Sequence, residues 1–424
     1  VKVLILAYDF PPYTSMGGQR PYGWASYLGE SEISATVVTR HWPDTIRRKE
    51  DYNRSCNYAV SREVLGAGTV IRVPFRGNLS DRILIRFGFG RFDFLRQILT
   101  LFYAVFQFLS FFFDNKSPIY KEARKELKSG GYSAIIATGE PFILFKYAYK
   151  LSQEFGIPWV ADYRDCWSDN YEINQNGGFR KLLYSKFFRF FERKYVETSM
   201  QITTAAPVFQ TELSRLFPNH TIEVIYNGFV RVDDPGENQC PEKRSNLTVG
   251  FAGTIYGFQP VEMFLAGLKL FVEKRPDAKI EAIFWGTDYI ESQKKRITNF
   301  DRSILSYIKT TERLDKQVLF REMSSVHLLL LLDNKGMISG KLYEYLLFGK
   351  KVLMAGRDHG AMEQILNATN SGIICDTPQE IAQALEKCYT EWQETGTVIC
   401  NSKNIEQYSR REQTRKLAEL ILGI

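Results

Sequence analysis

The chain is poor in the residues that hold metals. It has four histidines and six cysteines in 424 residues. Cys56, Cys166, Cys240, Cys375, Cys388 and Cys400 form no CxxC pair and no zinc-type spacing. That sets aside a structural zinc site and a disulfide scaffold, and it reads as reduced thiols in a cytoplasmic protein. No GxGxxG is present, so the dinucleotide fingerprint is missing. The opening run Val1–Ala7 is too short for a signal peptide and is broken by Asp9 and Pro11-Pro12, so it is read as a first strand. Gln97–Phe113 is uncharged over 17 residues. As a helix it would reach about 25 Å, short of a hydrocarbon core of roughly 30 Å, so a spanning segment is not expected.

What is present is unevenly spread. Hydrophobic residues make up 44% and charged residues 24% of the chain, an ordinary globular mix. The length suggests two or three domains. The net charge is +7, and all of it lies in residues 1–230, which hold 29 Lys and Arg against 22 Asp and Glu. The remainder holds 26 of each. The first 230 residues also hold 43 of the 60 aromatics. A basic, aromatic half beside a neutral one implies two domains with different partners, such as nucleic acid or an anionic membrane.

Short apolar runs alternate with helical patterns in both halves. Strands are expected at Val3–Ala7, Thr36–Thr39, Val70–Val73, Ala134–Ala137, Trp159–Ala161, Gln201–Thr204 and Glu223–Ile225. In the second half they are expected at Thr248–Ala252, Ile280–Phe284, Gln317–Phe320, His327–Leu332, Lys351–Met354 and Gly372–Ile374. Nearly continuous apolar strands suit buried parallel sheets, so the fold class is α/β with two doubly wound domains. A polar, turn-rich stretch around Val232–Asn246 marks the boundary. The domains are placed at 1–235 and 236–404, followed by a charged amphipathic helix over 405–424. In such sheets ligands bind outside the carboxyl ends of the strands, which selects the loops to read.

Four segments fall there. Tyr8–Arg20 contains Gly17-Gly18, which would let backbone amides approach an anion before a helix; a plain turn competes with that reading. Pro158–Trp167 carries Asp162, Arg164 and Asp165, carboxylates suited to orienting hydroxyls or accepting a proton. An internal Asp–Arg pair is the alternative for the first two. Gly250–Gly257 offers small residues and the Thr254 hydroxyl to a phosphate. Ile338–Gly349 is the most specific. Ser339 reads as an N-cap and Gly349 as a helix stop. Lys341 sits in the first turn, where it opposes the helix dipole unless an anion binds there. Glu344 lies nearly on the same face, placed to bridge two ribose hydroxyls; a surface Lys–Glu pair is the competing reading.

Taken together these segments resemble a GT-B glycosyltransferase, similar to glycosyltransferase family 4. The likeness rests on Phe10–Gly18, Pro158–Trp167, Val224–Phe229, Phe251–Gly257 and Ser339–Leu353, in the family's order and over nearly the whole chain. It implies two Rossmann-like domains facing across a cleft, with the C-terminal helix packing back on the first. It implies a retaining sugar transfer from a nucleotide-diphosphate sugar to a glycan or lipid-linked acceptor in cell-surface polysaccharide biosynthesis. No cofactor and no metal are expected, and the chain has no Asp-x-Asp. Donor binding falls to Gly253, Thr254, Arg321, Ser339, Gly340, Lys341 and Glu344. The acceptor or phosphate loop falls to Gly17, Gly18, Arg20 and Glu140. Asp165 and Lys341 are the catalytic candidates, with Asp9 and Glu140 behind Asp165 as bases. The chain departs from the family where Gly336 replaces a first glutamate, leaving Asp333 or Asn334 to substitute. The Arg/Lys pair often found after the Gly253 loop is also missing, and Arg321 stands in for it.

Two aromatic segments explain the composition. Residues 87–113 hold 11 aromatics. Residues 179–195 read as a basic helix with Leu183, Phe187, Phe190 and Phe191 on one side, and Arg180, Lys181, Arg189 and Arg193 elsewhere. Either segment could lie on a membrane or cover the first sheet; for 179–195 the sheet is preferred. The expected partners are therefore a nucleotide-sugar donor, a glycan or lipid-linked acceptor, and a membrane touched peripherally by the first domain at its cytoplasmic face. Nucleic acid is not expected. A nucleotide-sugar epimerase or a non-catalytic nucleotide-sugar-binding protein of the same fold are the alternatives.

Overall fold

A computed structural model describes residues 1–13, 15–43, 46, 49–168, 179–231 and 244–423. The chain forms two compact units, Val1–Asn227 with Arg410–Ile424, and Gly228–Ser409. The boundary expected between residues 235 and 236 lies outside the described residues.

The first unit is built on eight strands: β1 (Lys2–Leu6), β2 (Ser34–Arg40), β3 (Ser61–Leu65), β4 (Gly68–Val73), β5 (Ala134–Gly139), β6 (Trp159–Tyr163), β7 (Gln201–Thr204) and β8 (Ile222–Val224). They are ordered β3-β4-β2-β1-β5-β6-β7-β8. All neighbours are parallel except β3 and β4. Its helices are α1 (Met16–Tyr27), α2 (Leu79–Phe87), α3 (Asp93–Leu109), α4 (Ser117–Lys128), α5 (Ile143–Phe155), α6 (Phe179–Val196) and α7 (Pro207–Leu216). Leu4, Leu6, Ile135 and Ala137 face one core layer, and Val3, Ile5, Ile136 and Val160 the other. Both faces of the sheet are covered, which is why its strands read as unbroken apolar runs.

The second unit has six parallel strands: β9 (Leu247–Ala252), β10 (Ile280–Trp285), β11 (Ile308–Thr311), β12 (Leu328–Leu332), β13 (Lys351–Ala355) and β14 (Gly372–Cys375). Their order is β11-β10-β9-β12-β13-β14. Its helices are α8 (Val261–Lys274), α9 (Glu291–Thr298), α10 (Lys316–Ser325), α11 (Gly340–Leu347), α12 (Ala361–Ala368) and α13 (Pro378–Thr395). The wholly leucine strand β12 is buried throughout.

The last helix, α14 (Arg410–Leu422), belongs to the first unit. Its Leu417, Ala418 and Ile421 bury beside Val3, Ile5, Trp24 and Leu28. Polar bonds hold its start: Gln413 accepts the Tyr226 N–H at 2.7 Å, and Arg410 donates to the Asn227 carbonyl at 3.1 Å and to Gln19 at 2.9 Å.

Three readings of the sequence are corrected. Residues Gln317–Phe320 form part of α10 rather than a strand. Asp315 caps that helix by accepting the Gln317 N–H, and strong helix formers follow. The edge strands β3 and β11 were not expected, because their exposed or half-exposed residues lack an apolar run. In α6 the buried aromatics are Phe188, Phe191 and Tyr195, with Phe187 packed beside them, while Phe190 points outward. That helix covers the sheet, as preferred; the side chains of residues 179–184, Arg180, Lys181 and Leu183 among them, lie outside the described residues. Among the described residues no helix is long and apolar enough to cross a membrane.

Strand order reverses between β1 and β5 in the first sheet and between β9 and β12 in the second. Such switch points open a crevice at the carboxyl ends of the strands. They select the loops after Leu6 and Gly139, and those after Ala252 and Leu332.

Candidate functional site

In the second unit, β9 is followed by Gly253 with φ +99°, a conformation that only glycine adopts without strain. The Gly253 N–H donates to the Trp285 carbonyl at 2.9 Å, so the turn is tied to the end of β10. A Cβ at Gly253 would stand 3.2 Å from Lys341 Cε. Lys341 lies in the first turn of α11 and donates from Nζ to the Thr254 carbonyl at 2.9 Å. The same ammonium sits 4.3 Å over the Phe251 ring. Burial brings its pKa down to about 8, with Glu344 pulling upward. Lys341 is therefore a cation held in a poorly solvated place, short of anionic partners. Ser339 is an extended N-cap whose side chain makes no cap bond, which leaves the first-turn amides and the dipole to an incoming anion. Glu344 is exposed on the same helix.

One cation here was missed. Arg313 follows β11, and its Cγ is 3.6 Å from the Cβ position of Gly286. That position is in turn 3.9 Å from the Gly253 Cα. The Arg313 guanidinium stacks on the Tyr289 ring at 4.2 Å.

In the first unit the loops after β1, β5 and β6 converge on Arg164. It lies 3.5 Å from Asp9 Oδ2 and donates to the carbonyls of Gly139 at 2.6 Å and Glu140 at 2.8 Å. Asp9 also accepts from Ser15 at 3.2 Å and from Tyr52 at 3.3 Å. Burial raises the Asp9 carboxyl above its usual range, and Arg164 offsets part of that rise. Glu140 and Asp165 are exposed at the same carboxyl edge.

No protein-family model matches the chain, and no curated protein matches it in sequence. Solved structures do match in fold. The Anabaena protein HepE in complex with UDP aligns over 100% of both chains at 15% identity, with a TM-score of 0.57. A glycosyltransferase from Rickettsia africae covers 100% of this chain and 98% of its own at 11% identity and TM-score 0.60. A UDP-forming trehalose-phosphate synthase from Burkholderia xenovorans covers 100% of both at 12% identity and TM-score 0.59. The fold is GT-B.

Within each GT-B unit the expected residues can now be placed. Gly253, Thr254 and Lys341 come together, with Ser339, Gly340 and Glu344 on or beside the same helix. Arg321 is exposed on α10, because the strand expected before it is a helix. Arg313, which follows the true strand β11, is the arginine found beside the Gly286 turn. Asp333 follows β12, and its carboxylate accepts the Lys335 N–H at 3.0 Å, while Asn334 accepts from Gln259 at 3.3 Å.

Arg20 and Gly17 are corrected. Arg20 is buried, forks onto Asp162 with contacts of 2.6 to 3.2 Å, and donates to the Ile225 carbonyl. Thr203 adds a 2.7 Å bond to the same carboxylate. This is an internal ion pair, not an anion loop. At Gly17 a Cβ would fall 1.2 Å from Arg164 Nη1, so the room left by that glycine is filled by the guanidinium. The Gly18 N–H is taken by the Ser15 hydroxyl at 2.9 Å.

Proposed function

We propose that the chain transfers a sugar from a nucleotide-diphosphate sugar to a glycan or lipid-linked acceptor, with retention, in cell-surface polysaccharide assembly. The observation that carries this reading is Lys341, a half-buried ammonium at a helix N-terminus, seated against the Gly253–Thr254 turn at a sheet's switch point. A diphosphate satisfies all three features. It neutralises the ammonium, accepts from the first amides of α11, and approaches the turn closely because Gly253 has no side chain. Glu344 is assigned to the ribose hydroxyls, and Arg313 to further anionic charge.

In the reaction the bond from the anomeric carbon to the diphosphate oxygen breaks, and a bond to the acceptor oxygen forms. The diphosphate leaves with the bonding pair, so its negative charge grows as Lys341 and the amides receive it. In this reading those groups carry the charge that a metal ion would otherwise carry. The acceptor proton passes to a base, for which Asp165 is the assignment. Arg164 holds the loops of Asp9 and Glu140 in place beside it.

A thermal-shift panel of UDP, GDP, TDP and ADP tests donor binding, since a ligand of the native state raises its stability. Incubation with the sugar nucleotide of the preferred base then tests chemistry. Transfer or donor hydrolysis supports the proposal. An epimerised sugar nucleotide replaces it with the epimerase, and binding without product replaces it with the non-catalytic protein.

A further inference from the structure

Helix α3 is 17 residues long, and Phe108 alone among them is buried. Phe108 stacks on Trp167 at 5.3 Å and anchors the end of the helix to the core. The rest carries an apolar stripe: Phe94, Leu95, Ile98, Leu101, Phe106 and Leu109 all remain exposed, Phe94 at 78%. Their spacing of one, four, seven, twelve and fifteen residues keeps them on one side of a helix. Phe112 follows at 87% exposure. A soluble surface does not ordinarily present such a ridge.

Charge says what covers it. No acidic residue occurs between Phe94 and Phe113. The chain then carries the ridge to a basic concavity through the consecutive phenylalanines Phe111, Phe112 and Phe113. Phe113 packs on Phe102 at 5.1 Å, and Phe111 stacks on Tyr120 at 4.8 Å. Phe111 and Tyr120 then line a hollow of about 380 Å³ with Lys121, Arg124, Lys125 and Lys128 of α4. Arg124 is paired with Glu154, and Lys125 contacts Glu122 at 3.6 Å. Lys121 and Lys128 are exposed. At the other end Arg82, Arg86 and Arg91 are exposed, while Asp93 is held by Arg96.

We infer that the α2–α3 hairpin and the basic face of α4 form one surface that docks on an anionic lipid bilayer. The apolar stripe enters the interfacial layer and the flanking cations meet the headgroups. A helix of this length, about 25 Å, lies in that layer rather than crossing it. The inference stands on the first unit alone and holds whether or not the chain transfers a sugar.

The test is sedimentation of the full chain with vesicles of phosphatidylcholine, with and without about 30 mol% phosphatidylglycerol, at low salt and at about 0.5 M salt. Binding should require phosphatidylglycerol and weaken in salt. A stripe variant, Ile98→Ser with Leu101→Ser and Leu109→Ser, should lose at least tenfold in vesicle affinity at unchanged Tm, since all three positions are exposed. A rim variant, Lys121→Gln with Lys125→Gln and Lys128→Gln, should lose roughly fivefold per lysine on anionic vesicles only. Equal binding to both vesicle types, no binding at low salt, or full binding by the stripe variant would overturn the inference. So would a dimer in solution that the stripe variant dissociates while vesicles bind neither form, because the face would then belong to a second copy. Nucleotide binding followed in parallel keeps this result apart from the transferase reading.

Discussion

Replacing Lys341 by methionine should make the protein more stable and less able to hold a nucleotide. The side chain keeps its length but loses a charge that burial disfavours. The fall from the ordinary value of 10.5 to about 8 corresponds to about 3 kcal/mol against the charged form in the fold. Below about pH 8 both the folded and unfolded lysine are protonated, and the whole cost is present. Between about 8 and 10.5 the folded lysine is neutral while the unfolded one is charged, and the cost fades as pH rises. Lys341→Met should therefore raise stability at pH 7 by about 2 kcal/mol, or roughly 4–8 °C for a unit of this size. The gain should shrink toward pH 10. The opposite sign is expected with ligand. Losing a charge-assisted bond of about 2 kcal/mol weakens diphosphate binding roughly thirtyfold. At a nucleotide concentration of about a hundred times the wild-type Kd, ligand stabilisation should drop from about 2.7 to about 0.9 kcal/mol. Thermal unfolding with and without UDP or GDP, at pH 7 and pH 10, measures both effects. A variant that is less stable than wild type at pH 7, and is shifted by nucleotide just as far, would refute the assignment of Lys341 to a diphosphate. Turnover should fall further than binding, because the leaving diphosphate gains charge only as the bond breaks.

Glu344→Ala should weaken nucleotide binding by roughly 1–3 kcal/mol if its carboxylate accepts ribose hydroxyls; calorimetry giving an unchanged Kd counts against that role. Asp162→Ala leaves the Arg20 charge buried without its partner and should cost about 3–5 kcal/mol, read as loss of the first unit's unfolding transition at unchanged nucleotide affinity. Gly17→Ala pushes the Arg164 guanidinium off Asp9, so turnover should fall while nucleotide affinity stays, measured as kcat against Kd. Arg313→Gln should weaken diphosphate binding about as much as Glu344→Ala, whereas Arg321→Gln should leave it unchanged in the same titration.

The parts of the fold that were legible are those buried on both sides. Val3–Leu6, Ile135–Ala137 and Leu328–Leu332 announce themselves because no face of the strand needs a polar residue. The strands that were missed lie at sheet edges. Ser61–Leu65 pairs on one side only and is exposed, so its hydrophobicity says nothing. Missing Ile308–Thr311 hid Arg313, since a loop is recognised by the strand before it. Gln317–Phe320 misled because four residues of mixed polarity fit either period, and the cap at Asp315 decides the matter. Lys341 was legible because a lysine in a first turn conflicts with the local dipole. Arg20 was not, since its partner Asp162 lies 142 residues away and only the fold joins them. The aromatic excess of the first half divides in two: Phe108, Trp167, Phe188 and Phe191 build core, and the rings of α3 do not.

The return of α14 to the first sheet makes the second unit an insertion: the chain leaves the first unit after Asn227 and re-enters it at Arg410. During synthesis from the amino end the nested unit is therefore complete before its host. The host must wait, with Trp24, Leu28 and the inner side of β1 uncovered, until the helix carrying Leu417 and Ile421 has been made. A fragment ending at residue 227 would keep that apolar face open, whereas residues 228–409 form a contiguous piece that can be cut out whole. The last turns of the chain are thus the closing step for the unit that was started first.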